Sequence, residues 1–139
     1  MAFQFPVRIY WEDTDAGGIV FYANYLKFFE RARTEWLRSF GLSQQVLREQ
    51  TGGIFVVTEA RLRYLQPARL DDQLLVTACL TEKGRVSMTI EQQALLQPSA
   101  HMPAAAPTLL SEATVRIGFV DAATLRPARI PADLLELLS

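Results

Sequence analysis

From Asn24 to Gly41 the apolar side chains Tyr25, Phe28, Phe29, Ala32, Trp36 and Phe40 recur at spacings of three and four, while Lys27, Arg31, Glu35 and Arg38 take the opposite side. That spacing predicts an amphipathic helix over this stretch, with Asn24 as its N-cap and Gly41 just past its end. The Arg31–Glu35 and Glu30–Arg33 spacings suit surface ion pairs. Leu26 and Leu37 widen the apolar stripe, so the helix is expected to be embraced on more than one side. A shorter helix is predicted from Ser43 to Gln50, before the Gly52-Gly53 break. Elsewhere the period is nearer two. Val7 to Trp11, Ile54 to Leu65, Leu74 to Glu82, Arg85 to Leu96 and Thr108 to Asp121 read as strands. Turn signals lie at Pro67 to Asp72 and Glu82 to Arg85, and Gln97 to Pro107, with its prolines and alanines, reads as a loop. With no helix between the later strands, consecutive strands are expected to pair as antiparallel hairpins. The predicted class is α+β: a sheet of about five strands wrapped against one long helix.

The chain has 139 residues, half of them apolar, enough for one core and one domain spanning 1–139. Fourteen basic and fifteen acidic side chains leave a formal charge of -1, which gives no general field to attract nucleic acid. No apolar run approaches the roughly 20 residues of a membrane span, and the first residues lack the pattern of a cleaved export signal, so a cytoplasmic protein is expected. One cysteine, Cys79, and one histidine, His101, can supply neither an internal disulfide nor a conventional zinc site. No metal or redox cofactor is expected. Cys79, mid-strand, reads as a small buried apolar side chain.

The stretch Glu12-Asp13-Thr14-Asp15-Ala16-Gly17-Gly18 puts three carboxylates and two adjacent glycines just before the predicted long helix. A helix start offers unpaired N–H groups and a positive dipole end, suited to an anion or to a carbonyl oxygen that gains charge during reaction. Gly17 and Gly18 would let a ligand approach the main chain. A nearby carboxylate can act as a general base or as a nucleophile, and it can equally be a turn residue or cap.

The runs Val7-Arg8-Ile9-Tyr10, Glu12 to Leu26 and Glu30-Arg31-Ala32-Arg33 resemble the 4-hydroxybenzoyl-CoA thioesterase family, nearest within it to the Tol-Pal-associated acyl-CoA thioesterases. The run Tyr64-Leu65-Gln66-Pro67-Ala68-Arg69-Leu70-Asp71-Asp72 is similar to a second block of that family. The resemblance implies a hotdog fold, a homodimer or homotetramer with sites shared between subunits, and hydrolysis of an acyl-CoA to a free acid and coenzyme A. It implies Asp15 as the catalytic carboxylate and the Tyr22 main-chain N–H as the donor to the thioester oxygen. Tyr22 stands where the Tol-Pal-associated relatives usually carry His. On the same footing, Lys83 and Arg85 flanking Gly84, with Ser87 after them, are candidates for the coenzyme A phosphates. Tyr25 is expected in the core, with a share in an acyl pocket. Arg63, Arg69 and Arg116 are expected to be surface or ion-paired residues.

Other chemistries fit less well. Hotdog dehydratases use a His, and the only one here lies in the proline- and alanine-rich stretch; no Gly-x-Ser-x-Gly elbow or glycine-rich phosphate loop is present. The rival reading is a non-catalytic scaffold that holds an acyl group or an acyl carrier protein within a cell-envelope complex. Against it, a buried carboxylate beside a pocket is costly unless it has a chemical role.

Overall fold

The computed structural model describes residues 2–98 and 106–139; most of the predicted Gln97–Pro107 loop, His101 included, lies outside them. The chain runs β1 (Phe3–Arg8), a turn of 3-10 helix (Trp11–Asp13), α1 (Asn24–Arg38), α2 (Gln44–Thr51), β2 (Gly53–Tyr64), β3 (Gln73–Lys83), β4 (Ser87–Leu96), β5 (Thr108–Asp121) and α3 (Ala132–Leu138). Every strand pair is antiparallel, in the order β1-β3-β4-β5-β2. The expected strands are therefore present, with β1 displaced: it starts at Phe3 and ends at Arg8, because the chain turns at Tyr10, whose carbonyl accepts the Asp13 N–H at 3.0 Å.

One expected pairing is absent. β2 and β3 do not form a hairpin; β2 pairs with β5 and lies at the sheet's edge. The segment after β2 instead crosses the start of α1. The Val20 N–H donates to the Ala68 carbonyl at 2.9 Å, and the Ala68 N–H donates to the buried Tyr25 hydroxyl at 3.2 Å. That crossing brings the second motif-like block onto the first.

The buried side of α1 carries Tyr25, Phe28, Phe29, Ala32, Trp36 and Leu37, and the helix packs on β1, β3 and β4. It meets an inner sheet face of Leu74, Val76, Ala78, Met88, Ile90, Ala94, Ala113, Val115 and Ile117. Burying Phe28 and Phe29 completely contributes about 1.5–3 kcal/mol each. The long helix thus packs its apolar side on the sheet, which is what the periodicity implies. Several local expectations change. Ala23 rather than Asn24 is the cap of α1, and the helix closes at Ser39, with Gly41 two residues beyond in the left-handed region. Leu26 is exposed, and so is Cys79. The ion pair on α1 joins Arg38 to Glu35, while Arg33 turns inward and donates to Gln92 Oε1 at 2.9 Å. α2 follows its prediction, capped by Ser43 Oγ accepting the Val46 N–H. α3 has no counterpart in the sequence reading; it buries Leu134 and Leu138, and its C-cap Ser139 accepts a bond from Lys83 Nζ at 2.6 Å. Among the described residues no helix is long and apolar enough to cross a membrane.

Candidate active site

Residues 13–21 fold back on themselves as a short two-stranded turn. The Asp15 N–H donates to the Ile19 carbonyl at 2.8 Å, the Phe21 N–H donates to the Asp13 carbonyl at 3.0 Å, and Thr14 bridges Val20. Its tip, Ala16 to Gly18, needs a residue at φ +80, which Gly18 supplies. A side chain on Gly17 would come within 3.2 Å of Asp15 Oδ1, the atom that accepts the Gly17 N–H at 2.8 Å. Both glycines therefore have roles inside the turn itself.

The two aspartates are sharply divided. Asp13 is 6% exposed, and its Oδ2 accepts the Tyr10 N–H at 2.8 Å. Its main-chain oxygen takes the Asn24 side-chain amide at 2.9 Å. Asp13 is a cap and brace. Asp15 is exposed in a single chain, contrary to the burial argument above, and its Oδ2 has no hydrogen bond among the described residues. One oxygen is held by the turn and the other is not.

The turn delivers the chain to the start of α1. There the Asn24 N–H donates to the Phe21 carbonyl and the Leu26 N–H to the Ala23 carbonyl, whereas the N–H groups of Tyr22 and Ala23 have no acceptor among the described residues. Two adjacent unpaired donors thus stand at the positive end of a fifteen-residue helix. Beside them a hollow of about 260 Å³ opens between Ile19, Tyr22, Tyr25, Tyr64, Leu65 and Pro67. Asp15 is not on its wall but is hydrogen-bonded to Ile19, which is. Tyr25 is buried, as expected, and also lines the hollow; burial pushes its phenol pKa up, against the Ala68 N–H that lowers it. Tyr64 is likewise raised, first by desolvation and then by Tyr22.

The phosphate candidates lie elsewhere. Lys83 and Ser87 share a polar hollow of about 280 Å³ with Arg116, Glu82 and Thr89, and Arg116 donates to Ser87 Oγ at 3.3 Å. Arg85 is outside it, exposed, with its carbonyl accepting the Ile130 N–H at 2.8 Å. Within one chain the helix-start hollow and this one are separate cavities. Arg63 is ion-paired with Glu112 at 2.8 Å, as expected of it.

Sequence reasoning gave no role to Tyr64 or Gln92. Tyr64 donates its hydroxyl proton to the Tyr22 carbonyl at 3.0 Å, and Gln92 lies 1% exposed beneath α1. Tyr64 did open the second motif-like block. Nothing in the spacing placed it 42 residues back along the chain, against Tyr22.

Residues 9–138 match the model of the thioesterase-like superfamily. The chain is 40% identical over 132 residues to the acyl-CoA thioesterase YbgC of Haemophilus influenzae, covering 95% of this chain and 90% of that protein. It is 40% identical over 133 residues to the acyl-CoA thioester hydrolase YbgC of Escherichia coli O6:H1, covering 96% of this chain and 92% of that one. Its fold superimposes on the 4-hydroxybenzoyl-CoA thioesterase of Pseudomonas sp. strain CBS-3 with a TM-score of 0.86, over 98% of each chain at 24% identity.

Proposed function

Because the chain belongs to the thioesterase-like superfamily, we propose that it hydrolyses acyl-CoA thioesters, with Asp15 and the start of α1 as its working parts. The observation that carries this reading is the free Asp15 Oδ2 on the same short turn that ends at the unpaired Tyr22 and Ala23 N–H groups. The thioester carbonyl oxygen accepts the Tyr22 N–H, as the family resemblance implies, and gains negative charge as its carbon is attacked. The attacking oxygen is Asp15 Oδ2 or a water that Asp15 deprotonates. The C–S bond then breaks, and a thiolate with a pKa near ~8.5, taking free cysteine as the guide, leaves without the strong acid an amine would need. Where Asp15 itself has attacked, water then opens the acyl–aspartyl anhydride and restores the carboxylate, so by either route the products are a carboxylic acid and coenzyme A, and no metal or redox group enters the balance.

Lys83, Ser87 and Arg116 are proposed to hold the coenzyme A phosphates, with Arg85 on the adjoining turn. A second copy of the chain is proposed to complete the site. Tyr22 at 63% exposure, with Phe21 and Leu26, leaves uncovered apolar surface around the helix start, and Trp11 is 82% exposed on the preceding 3-10 turn. Among the described residues β2 also has one edge without a strand partner. A Tol-Pal-associated role enters this proposal through the resemblance, and an acyl carrier protein is a proposed partner.

The test is release of free thiol from aliphatic and aromatic acyl-CoAs of several lengths. The wild-type chain should turn over at least one of them, and Asp15→Asn should lose at least about a hundredfold in kcat. Unchanged turnover in Asp15→Asn would remove the carboxylate from the mechanism. No release from any thioester would favour the scaffold reading.

A further inference from the structure

The Tyr22 carbonyl points along the helix toward Tyr25, whose N–H it accepts at a long 3.4 Å, and it accepts the Tyr64 hydroxyl at 3.0 Å. This carbonyl and the Ala23 N–H belong to one peptide unit, which is planar and trans, so they point in opposite directions and turn together. A hydroxyl that fixes one end fixes the aim of the other. A hydrogen bond at the oxygen also polarises the amide and strengthens its N–H as a donor, by about 10–30% in condensed-phase terms. The Ala23 N–H is one of the two helix-start donors without an acceptor among the described residues.

Tyr64 is itself firmly placed. It is the last residue of β2, in register with Ser111 of β5, and the next N–H, that of Leu65, donates to the Leu110 carbonyl at 2.8 Å. Its ring stands edge-on to Tyr22, with centroids 6.0 Å apart, and to Tyr25, at 5.5 Å. The hydroxyl is the part of the side chain that bonds the main chain of the helix start. Burial holds its pKa above the ordinary tyrosine value, so it stays a proton donor throughout the neutral range.

Resting on the hydrolase reading, we infer that Tyr64 is a positioning residue for the reaction: it clamps and polarises the Tyr22–Ala23 peptide, so that the Ala23 N–H serves beside that of Tyr22 as a donor to the developing oxyanion. Tyr64 touches no reacting atom. It joins the motif-like block after β2 to the one before α1 through a single hydrogen bond.

Tyr64→Phe keeps the ring and its edge contacts and removes only the hydroxyl. Donors aimed at a developing charge act on the transition state, so the substitution should lower kcat about fivefold and leave KM within about twofold. It should also shift the amide resonance of Ala23 in the free protein, since the carbonyl of the same peptide loses its donor. Tyr64→Leu, which removes the ring as well, should disturb KM besides kcat because it reshapes the hollow. Unchanged kcat in Tyr64→Phe, a rise in KM alone, or an unmoved Ala23 amide would overturn the inference while leaving Asp15 catalysis intact. A wild-type chain inactive on every thioester would sink the hydrolase reading and this role together.

Discussion

The Asn24 side-chain amide donates to the main-chain oxygen of Asp13 at 2.9 Å, so the first residue of α1 is tied directly to the turn that carries Asp15. The same oxygen accepts the Phe21 N–H, and the Asp13 carboxylate closes the preceding turn on the Tyr10 N–H. The brace, Asp13, and the proposed catalytic carboxylate, Asp15, thus sit two residues apart, with opposite surroundings.

Asp13→Ala strands the part-buried Tyr10 N–H, and a donor left unsatisfied in this way costs about 1–3 kcal/mol. Urea unfolding should show that loss, and turnover should fall with it because the turn is no longer held. Asp15→Asn should unfold at the same urea concentration as wild type, since its free oxygen supports nothing in the fold. Equal destabilisation of both variants would contradict the division of roles.

Gln92 makes a second separable prediction. Its amide nitrogen donates to the carbonyls of Phe29 and Thr77 at 3.0 Å each, and its oxygen accepts Arg33 Nη1. Arg33 lines a hollow of about 220 Å³ between α1 and β2, and burial draws its pKa down, opposed by Glu30. Gln92→Leu takes a donor from two carbonyls and leaves part of a guanidinium unpaired, so it should cost roughly 2–4 kcal/mol in chemical unfolding. Gln92→Glu should cost less, because its oxygens still accept from Arg33 although the amide donors are lost. A melt of Gln92→Leu indistinguishable from wild type would show that the network does not hold α1 to the sheet.

Asp121 supplies a pH-dependent test. Its Oδ1 accepts the N–H groups of Thr124 and Ala123 at 2.9 Å each, and these bonds draw its pKa below the ordinary 3.8 despite a small opposing desolvation. A carboxylate whose folded pKa is depressed adds stability that is present above its unfolded value and lost as pH falls through the folded one. Asp121→Asn should therefore melt below wild type at neutral pH, and the gap should shrink as pH drops below about 4. A gap that stays constant into strong acid would mean the loop is held by its backbone alone.

The long helix was legible because one period, three to four residues, ran unbroken from Tyr25 to Trp36. Strand existence was legible for the same reason, but strand partners were not. Nothing in the alternation of β2 says that Pro67 and Ala68 will cross the helix start instead of turning back in a hairpin; that depends on the Ala68 bonds to Val20 and Tyr25, residues more than forty positions away. Asp15 was singled out by resemblance, and its spacing alone could not separate it from Asp13. Their difference lies in which carboxylate the turn buries, a tertiary fact. Arg116 looked like a surface charge because its partner in the hollow, Ser87, lies on another strand.

The last prediction concerns that hollow. Lys83 Nζ is held by Ser139 Oγ, and Arg116 reaches Ser87 Oγ, so the two cations share one polar recess with a hydroxyl between strands. If they hold phosphate, each forms a charge-assisted bond worth about 1.5–3 kcal/mol, made equally in the bound substrate and in the transition state. Binding of that kind sets KM and leaves kcat alone. Lys83→Ala and Arg116→Ala should each raise KM for an acyl-CoA by about tenfold, with kcat within about twofold. The same acyl group on a truncated pantetheine-like thiol carries no nucleotide, so its KM should be the same in wild type and variants. Glu82 stands in the recess as a like charge to phosphate, and Glu82→Gln should lower KM for the full coenzyme A ester. Equal changes on the full and the truncated ester would place the nucleotide somewhere other than the β3–β4 turn.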